Sequence, residues 1–242
     1  MPASVYVPSH LETRSVVDDE INMHSKPAAH SQTMAIGTGE EDEDDDSSLR
    51  TVDALMRRRA RLHPHVHAVS YPSSGINFVD YTMQQLDVFA WRAAKHYGKD
   101  LPVRSSSAEK PTVVALLGPS NLEYLITMLA LTKLGHSILL LSTRIPQPAI
   151  ESLVQATNAS VLVTESRFAE LGSKVRDSMS VRQLELVSRS VFEFPVEVRG
   201  DTRLDSALDP EIEKENIAFI IHSSGKLLSH PSQMTLRLVR SG

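Results

Sequence analysis

Apolar positions follow no period through the first part of the chain and become regular from about Ser48 onward. Val52, Leu55 and Met56, preceded by Leu49, fall at helical spacing, and Pro64 ends that pattern. Two short alternating runs follow, Val66–Tyr71 and Ile76–Tyr81, joined by a Pro-Ser-Ser-Gly turn, which predicts a pair of strands. At Thr82 the spacing returns to that of a helix. Thr82 with Gln85 has the form of a capping box, Leu86, Phe89, Ala90 and Ala93 make an apolar stripe, and Gly98 is a stop. Residues 101–111 read as a polar connector.

From residue 112 the alternation is regular. TVVALLG (112–118) is an uninterrupted β-branched and apolar run, as a strand covered on both faces requires. A helix is predicted next, opened by Ser120 with Glu123, lined by Leu122, Leu125, Ile126, Leu129 and Ala130, and closed by Gly135. SILLLS, ASVLVTE, RQLELVS and NIAFIIH are further strands. Helical patterns over 146–158, with prolines in the first turn, and over 166–179 lie between them. Short buried strands alternating with helices predict an α/β fold: a mostly parallel sheet with helices on both faces. Ligands of such sheets sit beyond the carboxyl ends of the strands, so the turns after Gly118, Ser142 and His222 are where function is expected.

Charge separates the front of the chain from this domain. Residues 40–46 are seven consecutive carboxylates, and without them the net charge changes from −5 to +2. Such a block repels itself and cannot be buried, so residues 1–47 are expected to be a disordered acidic leader. It can serve as bait for a basic partner or simply be a solvated extension. Arg57, Arg58, Arg59 and Arg61 raise the question of nucleic acid or a membrane surface. With no interleaved aromatics they describe a solvated helix face, and neither partner is predicted. His63, His65 and His67 alternate as metal ligands can, but no acidic partner stands near them in sequence and Pro64 disturbs the geometry, so no metal site is assigned. The chain has no cysteine, which removes disulfides, thiolate zinc sites and cysteine nucleophiles. It also has neither a signal-peptide pattern nor a membrane-length apolar run, so a cytoplasmic location is expected.

The loop HSSG (222–225), after the strand IAFII, has chemistry suited to phosphate. Backbone N–H groups of a Ser/Gly loop can cradle oxygens, the hydroxyls of Ser223 and Ser224 add donors, and Gly225 admits close approach. The same residues also make ordinary turns. A Walker loop is excluded, because Ile220 stands where its first glycine belongs and Leu227 follows Lys226 where Ser or Thr is needed.

Three segments carry a wider resemblance: VDYTMQQLDVFAWRAA, ALTKLGHSILLLSTRIP and IAFIIHSSG. In order and spacing they resemble the early Tyr-Thr…Leu segment, the Lys-x-Gly segment and the first half of the phosphate loop of the AMP-forming ligase superfamily. That superfamily includes acyl-CoA synthetases and the adenylation domains of nonribosomal peptide synthetases. The stretch from about 49 to 225 is most similar to fungal synthetase-like reductases that activate a carboxylic acid. The resemblance implies a partial adenylation-domain N-terminal subdomain over 48–225, with Ser223, Ser224 and Gly225 as cofactor-binding residues. It implies ATP and Mg²⁺ as cofactors of a full-length enzyme, a carboxylic acid as substrate, and a CoA or carrier-domain thiol as acyl acceptor. In such enzymes a carboxylate attacks the α-phosphate of ATP, pyrophosphate leaves, and the acyl-adenylate passes to the thiol.

The family pattern continues Ser-Thr-Gly-x-Pro-Lys, whereas this chain continues KLLSHPSQMTLRLVRSG, a divergent tail over 226–242. Lys226 does not match the family's loop lysine. The rest of the acyl pocket, the acidic ribose ligand and the C-terminal domain with its catalytic lysine have no counterpart, so no catalytic residue is assigned. The expectation is a truncated amino-terminal part of an adenylating domain, inactive on its own and with no cofactor required. Gly-Lys-Leu can be encoded GGT-AAG-TTG, which contains the intron start GTAAGT; read-through of an unspliced intron and a true gene relic predict the same protein. Val239 and its apolar neighbours can form an improvised edge strand. Two other readings stand beside this one. One is a non-catalytic α/β binding or interaction module; the other is a compact enzyme of its own, for which His136, His222 and Glu165 are the candidates at strand ends.

Overall fold

The computed structural model describes residues 51–74, 76–194, 208–222 and 236–240. The acidic leader, the Ser223–Gly225 loop and the first part of the divergent tail lie outside the described residues.

Helix α1 (Val52–Leu62) is capped by Thr51, whose hydroxyl accepts from the Ala54 N–H at 3.1 Å. Val52 and Met56 pack against the core as the apolar spacing predicts, but the rest of its inward side differs. Leu55 is 46% exposed, whereas Asp53 and Ala60 are buried. Strands β1 (His67–Ser74) and β2 (Asn77–Thr82) pair antiparallel as a separate hairpin. Helix α2 (Met83–Tyr97) opens with the predicted capping box: Gln85 N–H donates to the Thr82 hydroxyl and the Gln85 side chain accepts from Thr82 N–H. All four residues of its predicted stripe are buried.

The central sheet contains β3 (Val113–Leu117), β4 (Ser137–Leu141), β5 (Val161–Thr164), β6 (Arg182–Glu185), β7 (Ile217–His222) and β8 (Leu236–Arg240). Their order is β6-β5-β3-β4-β7-β8; the first five are mutually parallel and β8 is antiparallel to β7. The predicted improvised edge strand is therefore present, with Val239 opposite Phe219. Helix α3 (Leu122–Lys133) links β3 to β4, α4 (Gln147–Thr157) links β4 to β5, and α5 (Ala169–Met179), entered through a 3₁₀ turn at Ser166–Phe168, links β5 to β6. Two short helices, α6 (Arg189–Phe192) and α7 (Pro210–Glu213), lie between β6 and β7 in the chain.

Strand alternation divides the core in two. Val114, Leu116, Ile138, Val161 and Val163 face one side and pack with α2, α3 and Phe192 of α6. Ala115, Leu117, Leu139, Leu141 and Leu162 face the other and pack with Ile150, Leu153 and Val154 of α4 and Val175 of α5. Residues at alternate positions of one strand thus meet different helix layers, as the pleat requires. One boundary is corrected: the cap of α3 is Asn121, which accepts from Tyr124 N–H at 2.9 Å, and not Ser120. Gly135 follows Leu134, the C-cap residue of that helix, at φ +80°, the left-handed position that a tight helix exit demands.

Candidate functional site

Around β3 adjacent strands send their connections to opposite faces: α3 lies on the first face, whereas α4 and α5, which follow the neighbouring strands β4 and β5, lie on the second. From the carboxyl end of β3 the chain enters α3 on the first face; from the carboxyl end of β4 it enters α4 on the second. The divergence leaves a crevice at the strand ends, the place where open α/β sheets bind ligands. Two of the turns singled out by sequence, after β3 and β4, border it; the third follows His222 and lies outside the described residues.

Each turn is built differently. At Gly118 a Cβ would lie 3.3 Å from the Tyr124 ring and 3.4 Å from Cβ of Glu165, so this turn is packed shut by its neighbours. Burial pushes the Tyr124 hydroxyl up to about 12, so it stays neutral. After β4, the Ser142 hydroxyl accepts from Arg144 N–H at 3.2 Å, and Arg144 itself is exposed. The Ser142 N–H donates to Nε2 of His222 at 3.1 Å, which ties the end of β4 to the end of β7. Burial holds the His222 imidazole below its usual value, and its Nδ1 is buried with no partner among the described residues.

Ser223, Ser224 and Gly225 follow immediately after His222 and lie outside the described residues. What is fixed is their point of departure: the loop leaves the carboxyl end of β7, beside the β4 turn.

The three residues considered for a self-contained enzyme do not meet. His136 precedes β4, so it stands at the amino edge of the sheet and not at the carboxyl edge. Glu165 ends β5 and His222 ends β7, with β3 and β4 between them, roughly 14 Å at ordinary strand spacing. Glu165 is occupied locally. Although burial alone would raise its carboxyl, hydrogen bonds from Ser166 and Arg167 hold it below the usual range. His136 is buried and contacts the Pro102 carbonyl through Nε2 at 3.1 Å, and desolvation pushes it down to about 4. It borders a cavity of about 40 Å³ lined also by Arg104, Gly135 and Glu213, room for a water or two and not for a nucleotide.

Residues of the other two resembling segments turn out to hold the fold. Tyr81 is buried and donates to Glu193 at 3.0 Å, Thr82 caps α2, and Leu86 is core. Lys133, the lysine of the Lys-x-Gly segment, is buried between two carboxylates, Asp53 of α1 and Asp87 of α2, each at 2.6 Å. Arg57 reaches the other oxygen of Asp53 at 2.7 Å, leaving two cations and two anions. Sequence inspection missed this cluster, because Asp53 and Asp87 sit in helices whose apolar spacing carried all the signal. The predicted polar connector hides a second buried pair: Arg104 forks onto both oxygens of Glu213 at 2.9 Å.

Among the described residues no group of three or more His, Asp or Glu side chains can hold a metal ion, and no helix is long and apolar enough to cross a membrane. His63, His65 and His67 are exposed. The acidic partner that sequence proximity did not reveal is Asp80 on the facing strand, 3.5 Å from His67.

The profile of the AMP-binding enzyme family matches residues 56–225. The glycine betaine reductase ATRR of Emericella nidulans is 23% identical over 178 residues, covering 74% of this chain and 12% of that protein. Among solved structures, a fatty acyl CoA synthetase of Mycobacterium tuberculosis superposes with a TM-score of 0.56 at 18% identity, over 81% of this chain and 36% of that one. The N-terminal subdomain of Klebsiella oxytoca NpsA, in complex with 3-hydroxybenzoyl-AMSN, superposes with a TM-score of 0.53 at 17% identity, over 79% and 41%. The chain thus spans about an eighth of the curated relative and well under half of these structures. With the match running through the sheet to the loop after β7, the chain belongs to the AMP-binding enzyme family.

Proposed function

We propose that this chain carries the front part of an ATP-dependent, carboxylic-acid-adenylating module, and that the 242-residue polypeptide does not adenylate by itself. The family match, which runs over residues 56–225, carries this reading. In it, residues 48–225 are the partial AMP-binding domain and 1–47 a leader. Residues 226–242 are a tail outside the family pattern. Ser223, Ser224 and Gly225 hold phosphate oxygens through backbone N–H groups and hydroxyls.

A carboxylate attacking a phosphoryl group needs charge stabilisation on the transferred phosphate and a fixed in-line geometry. Bound Mg²⁺ supplies charge neutralisation on the polyphosphate. The chain's own contribution is the crevice, the loop donors and the link from Ser142 to His222 that sets where the loop begins. In this reading the family match covers only the front of such a site, and losing several catalytic groups together abolishes turnover rather than slowing it. The substrate class is a carboxylic acid, the acyl acceptor a CoA or carrier-domain thiol, and the setting cytoplasmic.

ATP–pyrophosphate exchange by the purified chain, assayed with a panel of carboxylic acids, is expected to stay at the no-protein blank. Exchange above that blank overturns the inactivity. Transcript sequence across the Gly225 codon tests the origin of the tail. A spliced form resuming Ser-Thr-Gly-x-Pro-Lys supports read-through, and transcripts that all run through Lys226 support a relic.

A further inference from the structure

We propose that the segment 208–222, α7 with β7, is a latched arm: it opens from the sheet as a unit, taking β8 with it, while β3 to β6 and their helices stay folded. Apolar burial holds this arm weakly. Among its described apolar side chains only Ile220 is buried, and Ile212 and Ile221 are exposed. In the adjoining strands, by contrast, Ala115, Leu116, Leu117, Ile138 and Leu139 are all fully buried. Among the described residues β8 has no strand partner but β7, so it leaves with the arm.

Polar ties fasten it instead, besides the ladder to β4. Asp209 N–H donates to the Ser107 hydroxyl at 2.7 Å, and Arg104 forks onto Glu213. The Ser137 hydroxyl donates to the Ile217 carbonyl, and Ser142 N–H donates to His222 at 3.1 Å. Arg104 is fixed on the body side, where it also donates to the carbonyls of Glu109 and Gly135. A buried ion pair adds little net stability when made, yet losing one partner costs much, so it sets position more than it adds cohesion. The seam is also imperfectly packed. The cavity of about 40 Å³ lies between Leu208, Asn216 and Ala218 of the arm and Thr132, Gly135 and His136 of the body. Few buried apolar contacts across a polar, hollow seam mark a region that opens below the free energy of global unfolding.

Strand β4 carries an internal control for the test. Ser137 N–H donates to the Thr112 carbonyl at 3.0 Å, toward β3. By strand alternation the amides of Leu139 and Leu141 also face β3, and those of Ile138 and Leu140 face β7. In native-state hydrogen exchange of the full chain, Ile138 and Leu140 are expected to exchange at least about tenfold faster than Leu139 and Leu141. Guanidinium well below the unfolding midpoint is expected to speed the β3-facing pair more steeply, because global unfolding exposes more surface than opening of the arm. Val175→Ala removes a buried contact of α5 that closed and opened forms share, so it is expected to speed only the β3-facing pair. Glu213→Gln weakens the closed form alone and is expected to speed both pairs by the same factor. A common rate and denaturant slope for all four amides in the parent, which needs no variant to fold, means that β7 opens only with the whole sheet and overturns the proposal. It is equally overturned if Val175→Ala speeds both pairs alike, or if Glu213→Gln leaves Ile138 and Leu140 at their parent rates.

Discussion

At the scale of single residues, the side chains that resembled a signature are the ones that hold the fold. Lys133 sits in an ionic cluster with both carboxylate partners buried and hydrogen-bonded. Burying charges gains little when they are paired, yet removing one partner strands the others, at a cost of about 3–5 kcal/mol. Lys133→Ala is therefore expected to lower the denaturant midpoint severely, while Arg57→Ala, whose charge is partly exposed, costs much less. Equal midpoints for the two variants would contradict the cluster's role. Two residues further on, Gly135 combines φ +80° with a Cβ position 2.9 Å from a Leu208 methyl and 3.1 Å from Cβ of Arg104. Gly135→Ala is expected to destabilise by at least about 1 kcal/mol through strain and crowding. The glycine was legible as a helix stop. The salt-bridge partners of Lys133 were not, because pairing across 80 and 46 positions leaves no mark in local spacing.

At the scale of elements, periodicity located the helices and strands, and local hydrogen bonding decided their ends. Thr82 and Gln85 were readable because a capping box needs only four consecutive residues. Ser120 and Glu123 satisfied the same pattern, but Asn121, one position later, reaches Tyr124 N–H and takes the cap. The connector at 101–111 looked inert by composition, yet its Arg104 pairs with Glu213 and its Pro102 carbonyl meets His136, two groups whose protonation depends on folding. The folded state holds the His136 imidazole neutral down to about 4, whereas the unfolded chain takes up its proton near 6.5. The unfolded state therefore binds more protons in that window, and stability falls as pH drops from about 6.5 to about 4. The Glu213 carboxyl is held below its usual range; burial alone would raise it, and Arg104 more than compensates. Its contribution is complete above about pH 4.5 and is lost as pH falls through its lowered value. Unfolding free energy measured against pH is expected to decline in two stages, with His136→Asn flattening the upper one. A curve unchanged by that substitution would contradict a buried neutral His136.

At the scale of the whole molecule, the alternation of buried strands and helices gave away the parallel sheet, but strand order is not written in periodicity. The crossing of the chain from β6 back to β7, beside β4, brings Ser142 against His222. The same order leaves β7 as the last parallel strand, with a hydrogen-bonding edge that would be open without β8. An open edge next to Ile217, Phe219 and Ile221 is a template for pairing with another chain. The divergent tail supplies the remedy: Leu236–Arg240 pairs along the whole of β7, and two of its five residues are arginines, the charged type that discourages further addition to an edge. If β8 serves as an intramolecular cap, its amides should exchange slowly with solvent. Disrupting it should free the edge without touching the core between the helix layers. Leu238→Pro, placed opposite Ile220, is expected to leave the far-ultraviolet spectrum nearly unchanged and to convert a concentration-independent species into one that associates as concentration rises, measured by sedimentation velocity. Rapid exchange over 236–240 in the parent, or a variant that sediments like the parent at every concentration, would mean that the edge of β7 is protected by something other than this strand.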